Sequence, residues 1–348
     1  MLDRADPDGR NHTPLLQVVG LRTELRLRNR VLPVVQDVSF HLDSGETLGI
    51  VGESGCGKSM TALSVMRLVP SPPGRIESGS IRFAGTELLQ LPEREMRRLR
   101  GNSISMIFQE PMTSLNPVRT VGSQIIEAIR LHQGLGWRAA RARAAEMLDL
   151  VHIPDAQVRL DEYPHHLSGG MRQRVTIAMA LSCNPRLLLA DEPTTALDVT
   201  IQAQIMSVLA ELRDRMGMAL VLITHDLGLV AESCDRVLVM YAGRKIEEAP
   251  TAALFAAPAH PYTRGLLNSV PHLAVGSAAT GRAGARQRLR EISGTVPALD
   301  RLPSGCPYEP RCPLASDQCR SAMPPLLPHD NAHLAACWHS ARVPEIAQ

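Results

Sequence analysis

The stretch Gly52-Glu53-Ser54-Gly55-Cys56-Gly57-Lys58-Ser59 constrains this chain more than any other. It fits a glycine, four residues, then Gly-Lys-Ser, the pattern of a phosphate-binding loop. Thr47-Leu48-Gly49-Ile50-Val51 before it reads as a buried strand, and Ser59 to Leu68 after it reads as a helix. A loop between strand end and helix start can aim backbone N–H groups and a helix N-terminus at phosphate oxygens. Gly52, Gly55 and Gly57 permit the tight backbone and the close approach. Lys58 is placed to reach the terminal phosphates and Ser59 to hold a magnesium ion, with Met60 ending the nucleotide-binding stretch. Lys58 and Lys245 are the only lysines among 37 basic residues, so a lysine at this position is not compositional drift. The spacing predicts a nucleotide site.

At 348 residues the chain has the volume for a full α/β core. Its formal charge of +2 leaves no electrostatic footprint for nucleic acid. The first residues are charged rather than apolar, and no apolar run approaches the roughly 18–20 residues of a membrane span. The expectation is a cytoplasmic protein. Aromatics make up only 3% of the chain, so the core must rest on Leu, Val, Ile, Ala and Met.

Residues 1–13 read as a flexible N-terminus. Leu16 to Leu27 and Val34 to Leu42 read as strands, and Ile81-Arg82-Phe83 as a short one. The basic run Arg94 to Arg100 reads as a solvated helix face. After the strand Ile104 to Phe108, which ends at Gln109, two helical segments interrupt the strand succession, and a helical subdomain is expected at about 112–182. Apolar strands resume at Leu187 to Ala190, ending in Asp191-Glu192, and at Ala219 to Ile223, ending in Thr224-His225-Asp226. Strands alternating with helices, with polar residues after the strand ends, indicate a mainly parallel α/β sheet. That domain is expected over 14–255. A linker region is expected at 256–295, with Gly276 to Arg290 rich in Ala, Gly and Arg. A small Cys-rich domain is expected at 296–348.

A carboxylate at the end of a buried strand can reach magnesium directly or through water, which singles out Asp191. Glu192 leaves the strand at a different angle and can orient or deprotonate a water attacking the γ-phosphate. In Leu167-Ser168-Gly169-Gly170-Met171-Arg172-Gln173, Ser168 can cap a helix whose N-terminus the glycines leave open to an anion. A second phosphate cradle in a one-nucleotide domain is physically odd.

Resemblance accounts for it. Gly52–Ser59, Gln109, Leu167–Gln173, Asp191-Glu192, Ala196-Leu197-Asp198 and His225 together resemble the ATP-binding cassette family in order and spacing, over roughly residues 15–250. The resemblance implies an ATPase fold with antiparallel N-terminal strands, a mainly parallel core and an inserted helical subdomain. It implies ATP with Mg2+ and a head-to-tail dimer, in which Ser168, Gly169 and Gly170 close over the nucleotide of a partner. Gln109 would contact magnesium and the attacking water and couple the site to a membrane subunit. Asp198 would communicate across the dimer, and His225 would touch the γ-phosphate.

Phe108-Gln109-Glu110-Pro111-Met112-Thr113-Ser114-Leu115-Asn116-Pro117 and Thr195 to Gln204 resemble dipeptide and oligopeptide importer ATPases more narrowly. So do His260-Pro261-Tyr262-Thr263, Gly305-Cys306-Pro307 and Pro310-Arg311-Cys312-Pro313. The implied partners are a second, similar ATPase, two permeases and, indirectly, an external substrate-binding protein. The implied place is the cytoplasmic face of the membrane, held peripherally; glutathione or a nickel chelate remain alternative cargoes. There are two departures from the family pattern. No aromatic stands near Leu25 to stack on adenine, and His166 replaces the usual glutamate before Leu167-Ser168.

Cys306, Cys312, Cys319 and Cys337 have five, six and seventeen residues between them, too wide for a paired CxxC zinc ribbon. Four thiolates can hold zinc or a [4Fe–4S] cluster, or remain free thiols. The resemblance to importer ATPases with this pattern implies the [4Fe–4S] cluster; the sequence leaves open whether it senses or staples, and the small size of the module favours stapling.

Overall fold

The computed structural model describes residues 13–109, 114–194, 198–269, 292–330 and 332–346. The flexible terminus expected before residue 13, the Glu110–Thr113 and Thr195–Leu197 parts of the motifs, and the linker Gly276–Arg290 lie outside the described residues.

The strands β1 (Leu16–Leu27), β2 (Arg30–Leu42), β4 (Gly74–Phe83) and β5 (Thr86–Glu87) form an antiparallel sheet in the order β2-β1-β4-β5. β2 starts at Arg30 rather than at Val34, because the hairpin turns through Arg28 and Asn29 and its ladder continues past Pro33. A proline is compatible there because β2 is an edge strand, paired on one side only.

The second sheet carries the parallel core. β3 (Thr47–Val51), β6 (Ile104–Ile107), β7 (Leu187–Asp191), β8 (Ala219–Ile223) and β9 (Arg236–Tyr241) run parallel in the order β9-β3-β8-β7-β6. All residues of β3, β7 and β8 are buried, and they alternate between two cores. Leu187, Leu189 and Val221 pack with Leu48, Ile50 and helix α1 (Lys58–Val65) against the antiparallel sheet. Leu188, Ala190 and Leu222 pack against helices on the opposite face. Burial on both faces removes the polar alternation, so these strands read as continuous apolar runs.

The basic run falls in α2 (Glu93–Leu99), whose buried residue is Met96. Arg98 pairs with Glu95 and Arg100 with Glu93 on its solvent side. Between β6 and β7 lie α3 (Val121–Gln133), α4 (Trp137–Leu150), the single turn α5 (Ala156–Arg159) and α6 (Gly169–Leu181). Helix α3 starts where Thr120 accepts from the Ser123 N–H, and stops at Gly134, whose φ of 66° suits a glycine. The helices α7 (Val199–Met216) and α8 (Leu227–Ser233) flank β8 in sequence.

The C-terminal part differs from the expected linker and separate domain. The stretch after 255 holds the end of α9 (Thr251–Ala256) and α10 (Pro261–Ser269), where Pro261, Tyr262 and Thr263 are buried. After α11 (Asp317–Ser321), the hairpin β11 (Leu327–Asp330) and β12 (His333–Ala335) pairs with β10 (Arg244–Pro250) and so joins the main sheet. The physical reason is a buried carboxylate that no local pattern announces. Glu247, fully buried, accepts the N–H groups of Ala259 (2.6 Å) and His260 (3.1 Å) and pairs with His333 Nε2 at 2.7 Å. Burial lowers His260 to about 4, against the pull of Glu247, so its Nδ1 remains an acceptor for the Tyr262 N–H. One carboxylate thus ties α10 and the hairpin to β10. Glu247→Ala strands two buried N–H groups and a histidine, with an expected loss of about 3–5 kcal/mol. Guanidinium unfolding checks this, and a loss within about 1 kcal/mol would show that the carboxylate does not hold the tail.

Candidate nucleotide site

The loop Gly52–Ser59 leaves the C-terminal end of β3 and enters α1. Gly57, at φ 101°, precedes the first helical residue, and a Cβ there would lie 2.4 Å from the Val34 carbonyl oxygen. At Gly52, φ 150°, a Cβ would lie 2.3 Å from the Met240 carbonyl oxygen. Both positions are therefore closed to side chains. Lys58 is buried and donates from Nζ to the Gly52 (2.7 Å) and Glu53 (3.1 Å) carbonyls, so its ammonium lies folded across the loop. Met60 begins the contact with the core at the foot of α1.

Ser59 Oγ donates to Asp191 Oδ1 at 3.0 Å. Burial pushes the Asp191 carboxyl up, the Ser59 hydrogen bond pulls it down, and the neighbouring Glu192 charge raises it further. A hydroxyl and a buried carboxylate with that need for a cation form an oxygen donor pair of the kind magnesium takes alongside phosphates. Asp191 lies inside β7, whereas Glu192 adopts φ 47° and turns away. Its carboxylate accepts from Gln109 Nε2 at 3.0 Å and meets His225 Nδ1 at 3.2 Å. Gln109 and His225 are exposed, so this trio faces solvent at the sheet's edge.

Ser168, Gly169, Gly170 and Asp198 stand elsewhere. Ser168 caps α6 by accepting the Met171 N–H at 3.3 Å, and Asp198 caps α7 by accepting the Ile201 N–H at 3.0 Å. Gly170 faces the second helix, where a Cβ would lie 3.0 Å from Ile201 Cγ2. Among the described residues, no hydrogen bond or ion pair joins Ser168–Gly170 to the phosphate loop of the same chain. Leu25 is half-buried against the antiparallel-sheet core, as an aliphatic side chain would be.

Sequence reasoning missed what lies behind the loop. Glu53 pairs with Arg311 at 2.9 Å, and its N–H donates to Tyr262 Oη at 2.8 Å. Tyr262 and Arg311 lie 209 and 258 residues further along the chain, beyond the reach of any local pattern. Cys306, Cys312, Cys319 and Cys337 line one small cavity with His260, Tyr308 and Trp338. Burial and the neighbouring thiols push Cys312 up to about 12 and Cys337 up to about 11.

The family model described as ABC transporter matches residues 35–195, and that described as oligopeptide/dipeptide transporter, C-terminal region, matches residues 246–319. A probable peptide ABC transporter ATP-binding protein of Sinorhizobium fredii is 54% identical over 329 residues, 94% of this chain and 96% of that protein. An oligopeptide transport ATP-binding protein of Salmonella typhimurium is 52% identical over 324 residues, 93% of each chain. A dimeric ATP-binding cassette solved in a post-hydrolysis state with ADP and Pi superposes with a TM-score of 0.61 at 26% identity, covering 68% of this chain and 98% of that one. The chain belongs to the ATP-binding cassette transporter family, as an ATPase of its oligopeptide/dipeptide branch.

Proposed function

We propose that this chain is the ATP-hydrolysing subunit of a peptide importer, working in a head-to-tail ATPase dimer at the cytoplasmic face of a membrane. Its partners would be a second, similar ATPase, two permeases and, indirectly, an external substrate-binding protein. The observation that carries the reading is the Glu192 trio beside the Ser59–Asp191 pair, at a loop closed to side chains at Gly52 and Gly57. No helix among the described residues is long and apolar enough to cross a membrane, so the coupling falls to separate permeases in this reading.

In the proposed mechanism, Lys58 exchanges its two loop carbonyls for the β- and γ-phosphates of ATP, while loop N–H groups hold the remaining oxygens. Ser59 and Asp191 would hold Mg2+, which supplies charge neutralisation at the β/γ-oxygens. Gln109 would help to place the attacking water, and Glu192 takes its proton. His225 turns from Glu192 towards the γ-phosphate and holds charge there. The nucleotide held by this loop is then covered by the partner's serine-glycine loop, and Ser168, Gly169 and Gly170 cover the partner's. Asp198, at the neighbouring helix start, carries the signal between the two sites. Closure and reopening of the dimer drive the permeases.

We also propose that Cys306, Cys312, Cys319 and Cys337 hold a [4Fe–4S] cluster. Support comes from the donor set. Four sulfurs border one cavity, and the His339 N–H donates to Cys337 Sγ at 3.3 Å, as peptide donors do around cluster thiolates. Among the described residues no three or more His, Cys, Asp or Glu side chains are grouped closely enough to hold a metal ion. The cluster would supply a covalent staple to a segment with little core of its own.

Two measurements test these readings. Glu192→Gln should keep ATP affinity within about threefold while turnover falls by about 10²–10⁴-fold. Unchanged turnover would remove Glu192 as the base. Protein purified without air should be brown, with iron and labile sulfide in equal amounts, and Cys312→Ser should abolish the colour. A colourless, iron-free protein would overturn the cluster.

A further inference from the structure

The cysteine-bearing turn and the phosphate loop meet through one side chain. Arg311, between Cys306 and Cys312, has a side chain only 5% exposed. Its guanidinium makes a two-pronged contact with the Glu53 carboxylate, at 2.9 and 3.1 Å. The contact is itself fixed. Arg311 Nε donates to the Ser293 carbonyl at 3.0 Å, Nη1 to Tyr241 Oη at 3.3 Å, and its Cζ lies 5.9 Å from the ring centres of both Tyr241 and Tyr308. Those rings pack edge-on against Tyr262, which accepts the Glu53 N–H.

Glu53 is therefore held at every polar group. Its N–H goes to Tyr262, its carbonyl accepts from Lys58, and its carboxylate is gripped by Arg311. It is the second residue of the loop that must point N–H groups at phosphate. The loop's glycines make its backbone permissive, so its shape has to be imposed from outside. We infer that Arg311 is a positioning residue for the ATP site: through Glu53 it braces the phosphate loop against the cysteine-bearing turn, so that the tail's packing sets nucleotide affinity.

This rests on Gly52–Ser59 being the ATP-binding loop. The brace differs from a simple charge effect. An unpaired Glu53 carboxylate repels ATP, so charge alone makes Arg311→Met bind more weakly and Glu53→Gln bind more tightly. A brace makes both bind more weakly, and the double variant no weaker than Arg311→Met alone.

The experiment measures equilibrium binding of a fluorescent ATP analogue, with steady-state ATPase kinetics, on the full chain and on E53Q, R311M, R311K and E53Q/R311M. E53Q acts from the loop side and leaves the turn's own contacts in place, so it reports even where R311M loosens the tail. The expected result is about tenfold weaker binding for E53Q and R311M and no further loss in the double variant. R311K, with one prong in place of two, should be intermediate. KM should rise by the same factor with kcat held within about twofold, since the brace acts on bound nucleotide before and during reaction alike. Wild-type affinity in E53Q and R311M, tighter binding by E53Q, or losses that simply multiply would each overturn the brace. Failure of the unmutated chain to bind the analogue would instead reject the loop as an ATP site.

Discussion

Parallel hydrogen bonding between β3, β8, β7 and β6 is the constraint on which the candidate site depends. Ile50 is in register with Ile223, Ile223 with Asp191, and Ala190 with Ile107. The strands therefore end together, and the residue after each end emerges at one edge. Ser59, Asp191-Glu192, His225 and Gln109 are far apart in the chain, yet the ladder brings them into hydrogen-bonded pairs, Ser59 with Asp191 and both Gln109 and His225 with Glu192. This is the general position of ligand sites in open parallel sheets. Burial on both faces fixes that ladder. A slip of one residue would exchange the Leu187/Leu189 and Leu188/Ala190 faces between two different cores.

Within that edge, two adjacent carboxylates must do different things. Asp191 completes β7 and faces Ser59, while Glu192 turns into the left-handed region at φ 47°. A non-glycine residue held there costs about 1–3 kcal/mol. The Glu192 N–H is nevertheless satisfied by the Ile223 carbonyl at 2.8 Å, so the ladder continues through the turn. The strain separates a cation-seeking oxygen from one aimed at Gln109 and His225.

The parts of this arrangement legible in the sequence are those with local causes. The glycine spacing of the phosphate loop, the continuous apolar runs of β3, β7 and β8, and the cap at Ser168 each follow from neighbours in the chain. The half-site role proposed for Ser168-Gly169-Gly170 rests on family resemblance, since no local rule explains a second anion cradle. What stayed hidden depends on distant pairing. The β11–β12 hairpin is short, and β12 joins the sheet through Glu247 on β10. Helix α10 lies within the expected linker, and its buried residues, Tyr262 among them, meet tyrosines from β9 and the tail. Glu53 is marked by the sequence only as part of the nucleotide-binding stretch, and its pairing with Arg311 comes from the far end of the chain.

The choice of cations around the loop fits the work each would do. In a chain so rich in arginine, Lys58 is a compact ammonium on a flexible stem, bound now to two carbonyls that phosphate oxygens can replace without rebuilding the loop. Lys245, the other lysine, is likewise packed close among oxygens, between the Ser39 carbonyl (2.5 Å) and Glu248 (2.6 Å). Arg311 answers the opposite need. Its planar fork matches both oxygens of Glu53, and its flat faces lie near tyrosine rings, so it resists the movement that a ligand-exchanging cation requires. A lysine at 311 would keep the charge and lose the fixed direction. An arginine at 58 would keep the charge too, but its wide guanidinium would have to fit beneath a loop whose glycines leave room for no extra atom at Gly52 or Gly57. The loop thus meets two cations suited to different work: in the proposed site Lys58 would exchange its partners for phosphate, while Arg311, fixed from the tail, would hold the loop still as its contents change.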